Sequence, residues 1–231
     1  MGEYTDVLKR LVMYRKSLGM VQTEVAKKVG IGQEMYSYIE NGSIKISGEL
    51  LIEFMRIGCS TDELIAGKEY NYEADDLEAA VNSIAAEEDR NFALKLLAEL
   101  IVNKCGRKRE SITGETADNM LMLDALSKSW DNFSMTCFVR KKLLLSQIDM
   151  AERLGLGIKK YRAIERETIY PDAETLFSLY DMSHYRPILF MNMKDRKIQI
   201  LKSIWGIFTS AEKEKLLKYA VYSAEIFGQE V

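Results

Sequence analysis

Gln22-Thr23-Glu24-Val25-Ala26-Lys27-Lys28-Val29-Gly30-Ile31-Gly32-Gln33-Glu34-Met35-Tyr36-Ser37-Tyr38-Ile39-Glu40-Asn41-Gly42 reads as two short helices on either side of a glycine turn. The first covers residues 22 to about 29 and stops at Gly30-Ile31-Gly32, because glycine enters the left-handed conformation that ends a helix. The second covers residues 33 to about 41 and stops at Gly42. Ala26 is small where the two helices have to approach, and Ile31 fills the core from the turn.

The same pattern returns 125 residues later: residues 15–65 align with residues 140–190 without a gap. Identical pairs include Arg15 and Arg140, Leu18 and Leu143, Gln22 and Gln147, Ala26 and Ala151, Gly30 and Gly155, Gly32 and Gly157, Tyr36 and Tyr161, Ile39 and Ile164, and Glu40 and Glu165. In all, 14 of 51 positions are identical, where unrelated sequences give roughly 3 at background frequencies. Duplication is the simplest account. Each copy reads as five short helices. The opening helix of the first copy places Leu8, Leu11, Val12 and Leu18 at helical spacing. In the second copy, residues 147–154, the turn Gly155-Leu156-Gly157 and residues 158 to about 166 repeat the pair, with Ala151 and Leu156 in the packing positions.

The remainder of the 231-residue sequence fits an all-α protein. Hydrophobic residues make up 47%, enough for two cores. Only Pro171 and Pro187 interrupt the chain, Leu, Lys, Glu and Ala recur at helical period, and no segment reads as a strand. No apolar run approaches the roughly 18 residues that cross a bilayer, and Met1-Gly2-Glu3-Tyr4-Thr5-Asp6 lacks a basic region followed by an apolar core, so no membrane contact and a cytoplasmic location are expected. Cys59, Cys105 and Cys137 are too few and too scattered for a disulfide framework or a metal site, and read as buried thiols. A net charge of −3 argues against indiscriminate polyanion binding, but local patches decide that question.

Both copies resemble the Cro and repressor-type helix-turn-helix family, often called XRE, on a helix-initial Gln, an Ala four residues on, a Gly-apolar-small turn and Ile-Glu closing the third helix. Copy one supplies Gln22 to Ala26, Gly30-Ile31-Gly32 and Ile39-Glu40-Asn41-Gly42. Copy two supplies Gln147-Ile148-Asp149-Met150-Ala151, Gly155-Leu156-Gly157, Ile164-Glu165, and then Pro171 with Glu174-Thr175-Leu176. Two departures stand out. Val21 sits where Ser146 caps the second helix of copy two, at a cost of about 1 kcal/mol, and Glu167 replaces the glycine after the third helix at a similar cost if left-handed.

The resemblance implies that the second helix of each copy lies across the phosphate backbone and the third enters the major groove of double-stranded DNA. In copy one it nominates Gln33, Glu34, Ser37 and Tyr38 for base edges and Gln22 and Asn41 for phosphates. Gln pairs with adenine and Glu accepts from cytosine, whereas Glu34 beside a phosphate is repelled unless it finds that donor, so copy one is a selective reader or a weak one. In copy two it nominates Gln147, Lys159, Lys160, Arg162 and Arg166, with Arg153 and Lys141 near, a set suited to guanine acceptors and phosphates. The plainer reading of these charges is the solvated face of a short helix; their place on the recognition helix favours the functional one. Tyr36 and Tyr161 read as core rather than as stacking platforms. Gly30 and Gly32 are turn glycines, since no strand precedes them and no Gly-Lys-Ser/Thr follows. His184, the single histidine, has no catalytic neighbours and reads as structural, and the twelve methionines as core filler.

Two amphipathic stretches follow each copy, at 75–86 and 87–104 and again at 195–208 and 210–227, the last opened by the capping box Thr209-Ser210-Ala211-Glu212. The expected organisation is a helix-turn-helix domain at 1–67, a helical hairpin at 68–105, a linker and connecting helix at 106–130 containing Arg107-Lys108-Arg109, a second helix-turn-helix domain at 131–190 and a C-terminal hairpin at 191–231. Ile204, Trp205, Ile207 and Phe208 suggest an exposed apolar surface on the last hairpin, on which the hairpins pack on each other within the chain, between the chains of a homodimer, or both; the alternative is that each hairpin simply completes the core of its own module. The expected function is a DNA-binding transcriptional regulator acting as a covalent pseudo-dimer. The alternative is a protein-interaction module in which one or both helix-turn-helix copies serve as scaffold. No carboxylate pair, activated nucleophile or metal-ligand spacing suggests an enzyme, and nothing names a cofactor or a small-molecule effector.

Overall fold

A computed structural model describes residues 4–106 and 113–227, and all regular structure in them is helical. Chain contacts group Met1–Tyr70 with Ser134–Asn192 as one unit and Asn71–Phe133 with Met193–Val231 as a second. No helix among the described residues is long and apolar enough to cross a membrane.

The first unit begins with α1 (Tyr4–Ser17), α2 (Gln22–Lys28), α3 (Gln33–Glu40), α4 (Gly48–Arg56) and α5 (Thr61–Ala66). Val7 and Leu11 of α1, Val25 and Ala26 of α2, Tyr36 and Ile39 of α3, and Leu51 and Phe54 of α4 close one core. Leu18, expected on the core side, lies beyond the end of α1 and is exposed, because Gly19 turns left-handed at φ 66° and leads the chain away. Gly30 at φ 76° and Gly42 at φ 81° end the next two helices as expected.

After residue 134 the same unit continues with α9 (Met135–Lys142), α10 (Gln147–Arg153), α11 (Ile158–Glu165), α12 (Ala173–Ser183) and a single 3₁₀ turn at Pro187–Phe190. The fifth expected helix of this stretch is thus one turn long. Pro187 has no N–H to donate, which suits the first position of a turn, and Met191 is already extended. The caps follow the expected asymmetry. Ser146 Oγ accepts from Asp149 N at 3.2 Å while Ser146 N donates to Asp149 Oδ2 at 3.0 Å. Val21 retains only the second half, its N–H donating to Glu24 Oε2 at 2.8 Å. Glu167 is left-handed at φ 58°, as its alignment with Gly42 requires, and Leu144, aligned with Gly19, is left-handed at φ 57°.

Segments related by the 125-residue offset also determine how the halves of this unit meet. Ala173 N donates to Ile46 O at 3.0 Å, Lys45 pairs with Glu174, and Gly48 lies against Tyr170, so that residues 45–48 run antiparallel to 170–174. Asp62 Oδ2 accepts from Arg186 Nε at 2.8 Å and its Oδ1 from Ile188 N at 2.9 Å. Positions 45–49 correspond to 170–174, and 61–63 to 186–188, under the 125-residue offset. Each segment therefore faces its own counterpart, the pattern that a two-fold axis produces.

The second unit contains α6 (Asp75–Ser83), α7 (Glu87–Gly106), α8 (Gly114–Lys128), α13 (Arg196–Trp205) and α14 (Ser210–Phe227). α14 packs on α7 and α6, and α8 on α7 and α13. The helix expected to connect domains, α8, is a core element with Met122, Leu123 and Leu126 buried. Of the apolar residues expected at the surface, only Ile207 is exposed. Ile204, Trp205 and Phe208 are buried, and Trp205 Nε1 donates to Asp76 Oδ1 at 2.8 Å. The capping box at Thr209 forms, with Thr209 N to Glu212 Oε2 at 3.0 Å and Glu212 N to Thr209 Oγ1 at 3.3 Å. Cys59 and Cys105 are buried, whereas Cys137 is half-buried; all three are free thiols. Arg107, Lys108 and Arg109 lie outside the described residues.

Candidate nucleic-acid interface

The helix α3 has two faces. Tyr36 and Ile39 are fully buried, which assigns Tyr36 to the core, while Gln33, Glu34, Tyr38 and Asn41 are exposed and Ser37 is half-exposed. The outward positions therefore include every residue nominated on this helix. Two of them are tied locally: Tyr38 Oη donates to Glu34 Oε1 at 3.0 Å, and Asn41 Oδ1 accepts from Ser43 N at 3.0 Å. No Lys or Arg stands on this helix.

On α11 the core face is Tyr161, Ile164 and Glu165, and Lys159, Lys160, Arg162 and Arg166 are exposed. They are not equally available. Lys160 Nζ donates to Asp172 Oδ2 at 2.7 Å, and Arg162 Nε to Gln147 Oε1 at 3.1 Å. Asp172 also caps α12 by accepting from Thr175 N at 2.8 Å. Burial raises the Asp172 carboxyl, but the bonds from Lys160 and Thr175 prevail and hold it below its ordinary value.

Beneath each exposed face lies the same polar cluster. Arg15 Nε donates to Glu40 Oε1 at 2.7 Å and Nη2 to Glu40 Oε2 at 3.1 Å, while Nη1 reaches Met20 O at 3.0 Å. Gln22 Nε2 adds a bond to Glu40 Oε2 at 2.8 Å. In the other half Arg140 Nε donates to Glu165 Oε1 at 2.6 Å and Nη1 to Leu145 O at 2.9 Å, Gln147 Nε2 donates to Glu165 Oε2, and Tyr161 Oη donates to Glu165 Oε1 at 3.2 Å. Both glutamates are 7% exposed at the side chain. Burial works to raise each carboxyl, yet the bonds from arginine and glutamine outweigh it and hold both below their ordinary value. These clamps connect the first helix of each half to the end of the third, and so fix the angle at which the exposed face is presented.

The identical pairs Arg15/Arg140, Gln22/Gln147, Tyr36/Tyr161 and Glu40/Glu165 are legible in the sequence, but not as one cluster. Gln22, nominated for a phosphate, and Gln147, nominated for DNA contact, direct their amides inward to the glutamates and keep their oxygens toward Gln33, at 3.5 Å, and Arg162. His184 ends α12 in the left-handed conformation at φ 59°, its ring edge-on to Tyr180, a structural position. No group of three or more His, Cys, Asp or Glu able to hold a metal ion occurs among the described residues.

Residues 11–64, from α1 to α5, match the family model for the helix-turn-helix domain, and an XRE-type helix-turn-helix therefore occupies this stretch. Neither a curated protein nor a solved structure matches the chain.

Proposed function

Given an XRE-type helix-turn-helix at residues 11–64, we propose that the chain is a sequence-specific, double-stranded-DNA-binding transcriptional regulator. In this reading residues 140–190 are a second copy of the domain, and the two act as a covalent pseudo-dimer. The observation that carries it is the meeting of residues 45–49 with 170–174 and of Asp62 with Arg186 and Ile188, each segment against its own counterpart. A two-fold relation of this kind is how dimeric helix-turn-helix proteins present two recognition helices to half-sites about 34 Å apart.

Lys159, Arg162 and Arg166 supply the main attraction for phosphates and guanine, with Lys160 joining once released from Asp172. Gln33, Glu34, Ser37, Tyr38 and Asn41 form the second reading face, and Gln22 and Gln147 flank the backbone. One observation favours the alternative, a protein-interaction module: α3 offers no cation to a polyanion.

Selection of the purified chain against a random duplex library at near-physiological salt, followed by sequencing, separates the two. An enriched two-part motif with salt-sensitive binding is expected. A folded protein that enriches nothing refutes the regulator reading in favour of a protein partner.

A further inference from the structure

The two recognition faces carry opposite charge at matching positions. Gln33, Glu34, Ser37, Tyr38 and Asn41 correspond, 125 residues on, to Ile158, Lys159, Arg162, Ala163 and Arg166, so one face holds a single negative charge and the other three positive charges. The inversion is sharpest at Glu34 and Lys159. Each is the second residue of its helix and each is exposed.

Neither group is consumed by the fold. Tyr38 Oη holds Glu34 through Oε1 alone, leaving Oε2 without a hydrogen bond among the described residues. Lys159 makes no ion pair among the described residues, in contrast to its neighbour Lys160. A carboxylate accepts from the N4 amine of cytosine and is repelled by the O6 and N7 acceptors of guanine, whereas an ammonium donates to those acceptors. Residues related by a two-fold stand over equivalent base pairs of two half-sites.

Resting on the pseudo-dimer reading, we infer that the DNA site is a palindrome broken at one equivalent position: cytosine under Glu34 and guanine under Lys159, each on the strand that its own helix reads. Glu34 is then a specificity-determining residue rather than a defect in an otherwise basic surface. The Tyr38 hydroxyl positions it, so the carboxylate meets the base already oriented.

The test is the same library selection on the full chain, run for the wild type, Glu34→Lys, Lys159→Glu and Glu34→Gln, with circular dichroism confirming that each exposed-site variant folds. The wild type is expected to enrich cytosine in one half and guanine at the equivalent place in the other. Glu34→Lys should replace that cytosine by guanine and make the halves match there, with a change in base preference of about tenfold. Lys159→Glu should match them as cytosine, and Glu34→Gln should move the first half to adenine. A two-part motif that stays unchanged at this position in all three variants overturns the inference while leaving the pseudo-dimer intact. A wild type that enriches no motif, or only one half-site, overturns both.

Discussion

Arg15 grips Glu40 with two bonds, Nε to Oε1 at 2.7 Å and Nη2 to Oε2 at 3.1 Å, whereas Arg140 holds Glu165 through Nε alone at 2.6 Å and turns its Nη2 to Cys137 Sγ at 3.8 Å. The partners are 25 residues apart in each half, and the side chains are largely withdrawn from water. Removing one partner leaves the other charge buried without its counter-ion, which costs far more than a surface pair is worth. Arg15→Ala is therefore expected to destabilise the chain by about 3 kcal/mol, read from urea unfolding, and Arg15→Lys to recover only part of it because lysine lacks the planar fork. An unchanged midpoint for Arg15→Ala would remove the clamp from the account of the fold.

The same glutamates set a direction for acid sensitivity. Each is held below its ordinary value of 4.5 in the folded chain by the arginine and glutamine bonds, against the effect of burial. The unfolded chain then binds more protons as pH falls past that value. Their stabilisation is complete above about pH 4.5 and is lost as pH drops through the depressed folded values. Melting temperature against pH should fall less steeply below pH 4.5 in a Glu40→Gln, Glu165→Gln double variant than in the wild type; parallel curves would contradict the assignment.

Packing between the halves of the first unit converges on Gly48. A Cβ built there meets Tyr170 Cβ at 2.4 Å and the Tyr170 backbone oxygen at 2.7 Å, closer than real side chains tolerate. Gly48→Ala is expected to cost about 1 to 3 kcal/mol through a forced backbone shift, and Asp62→Ala about 3 kcal/mol by removing a buried carboxylate from the half-buried Arg186 guanidinium. Both should increase proteolysis near residues 45–49 and 170–174. If neither substitution changes stability or cleavage, the contact between the halves is not formed in solution.

Leu144 is 92% exposed and left-handed at φ 57°, where its counterpart is Gly19. A branched side chain in this conformation is strained and gains nothing from burial. Leu144→Gly should stabilise the chain by about 0.5 to 1 kcal/mol, since relief of strain exceeds the added freedom of the unfolded glycine. A lower thermal midpoint would show that Leu144 makes a compensating contact.

Helix boundaries at residues 22–42 and 147–166 were legible because glycine turns and apolar spacing act within a few residues. Leu18 has the spacing of a core position of α1, but Gly19 ends the helix before that position counts. Ile204, Trp205 and Phe208 resemble an exposed apolar surface along the sequence because partners distant in the chain complete their burial; the indole of Trp205 is satisfied by Asp76, 129 residues away. Among the candidate contacts, the outward placement of Glu34, Lys159 and Arg166 follows from helical period alone. The pairing of Lys160 with Asp172 and of Gln22 with Glu40 depends on how separate helices cross.

An all-helical chain, the recurrence of identical residues 125 positions apart and the opposite charges on α3 and α11 are legible in the sequence, since these rest on residue identity and local periodicity. Long-range contacts, by contrast, bring the segments before residue 70 and after residue 134 into one unit, where residues 45–48 run against 170–174, and gather α6, α7, α8, α13 and α14 into another. The reason is physical: a buried charge such as Asp62 and a missing side chain such as Gly48 acquire meaning only from the group brought against them, and that group is more than 120 residues away in the chain.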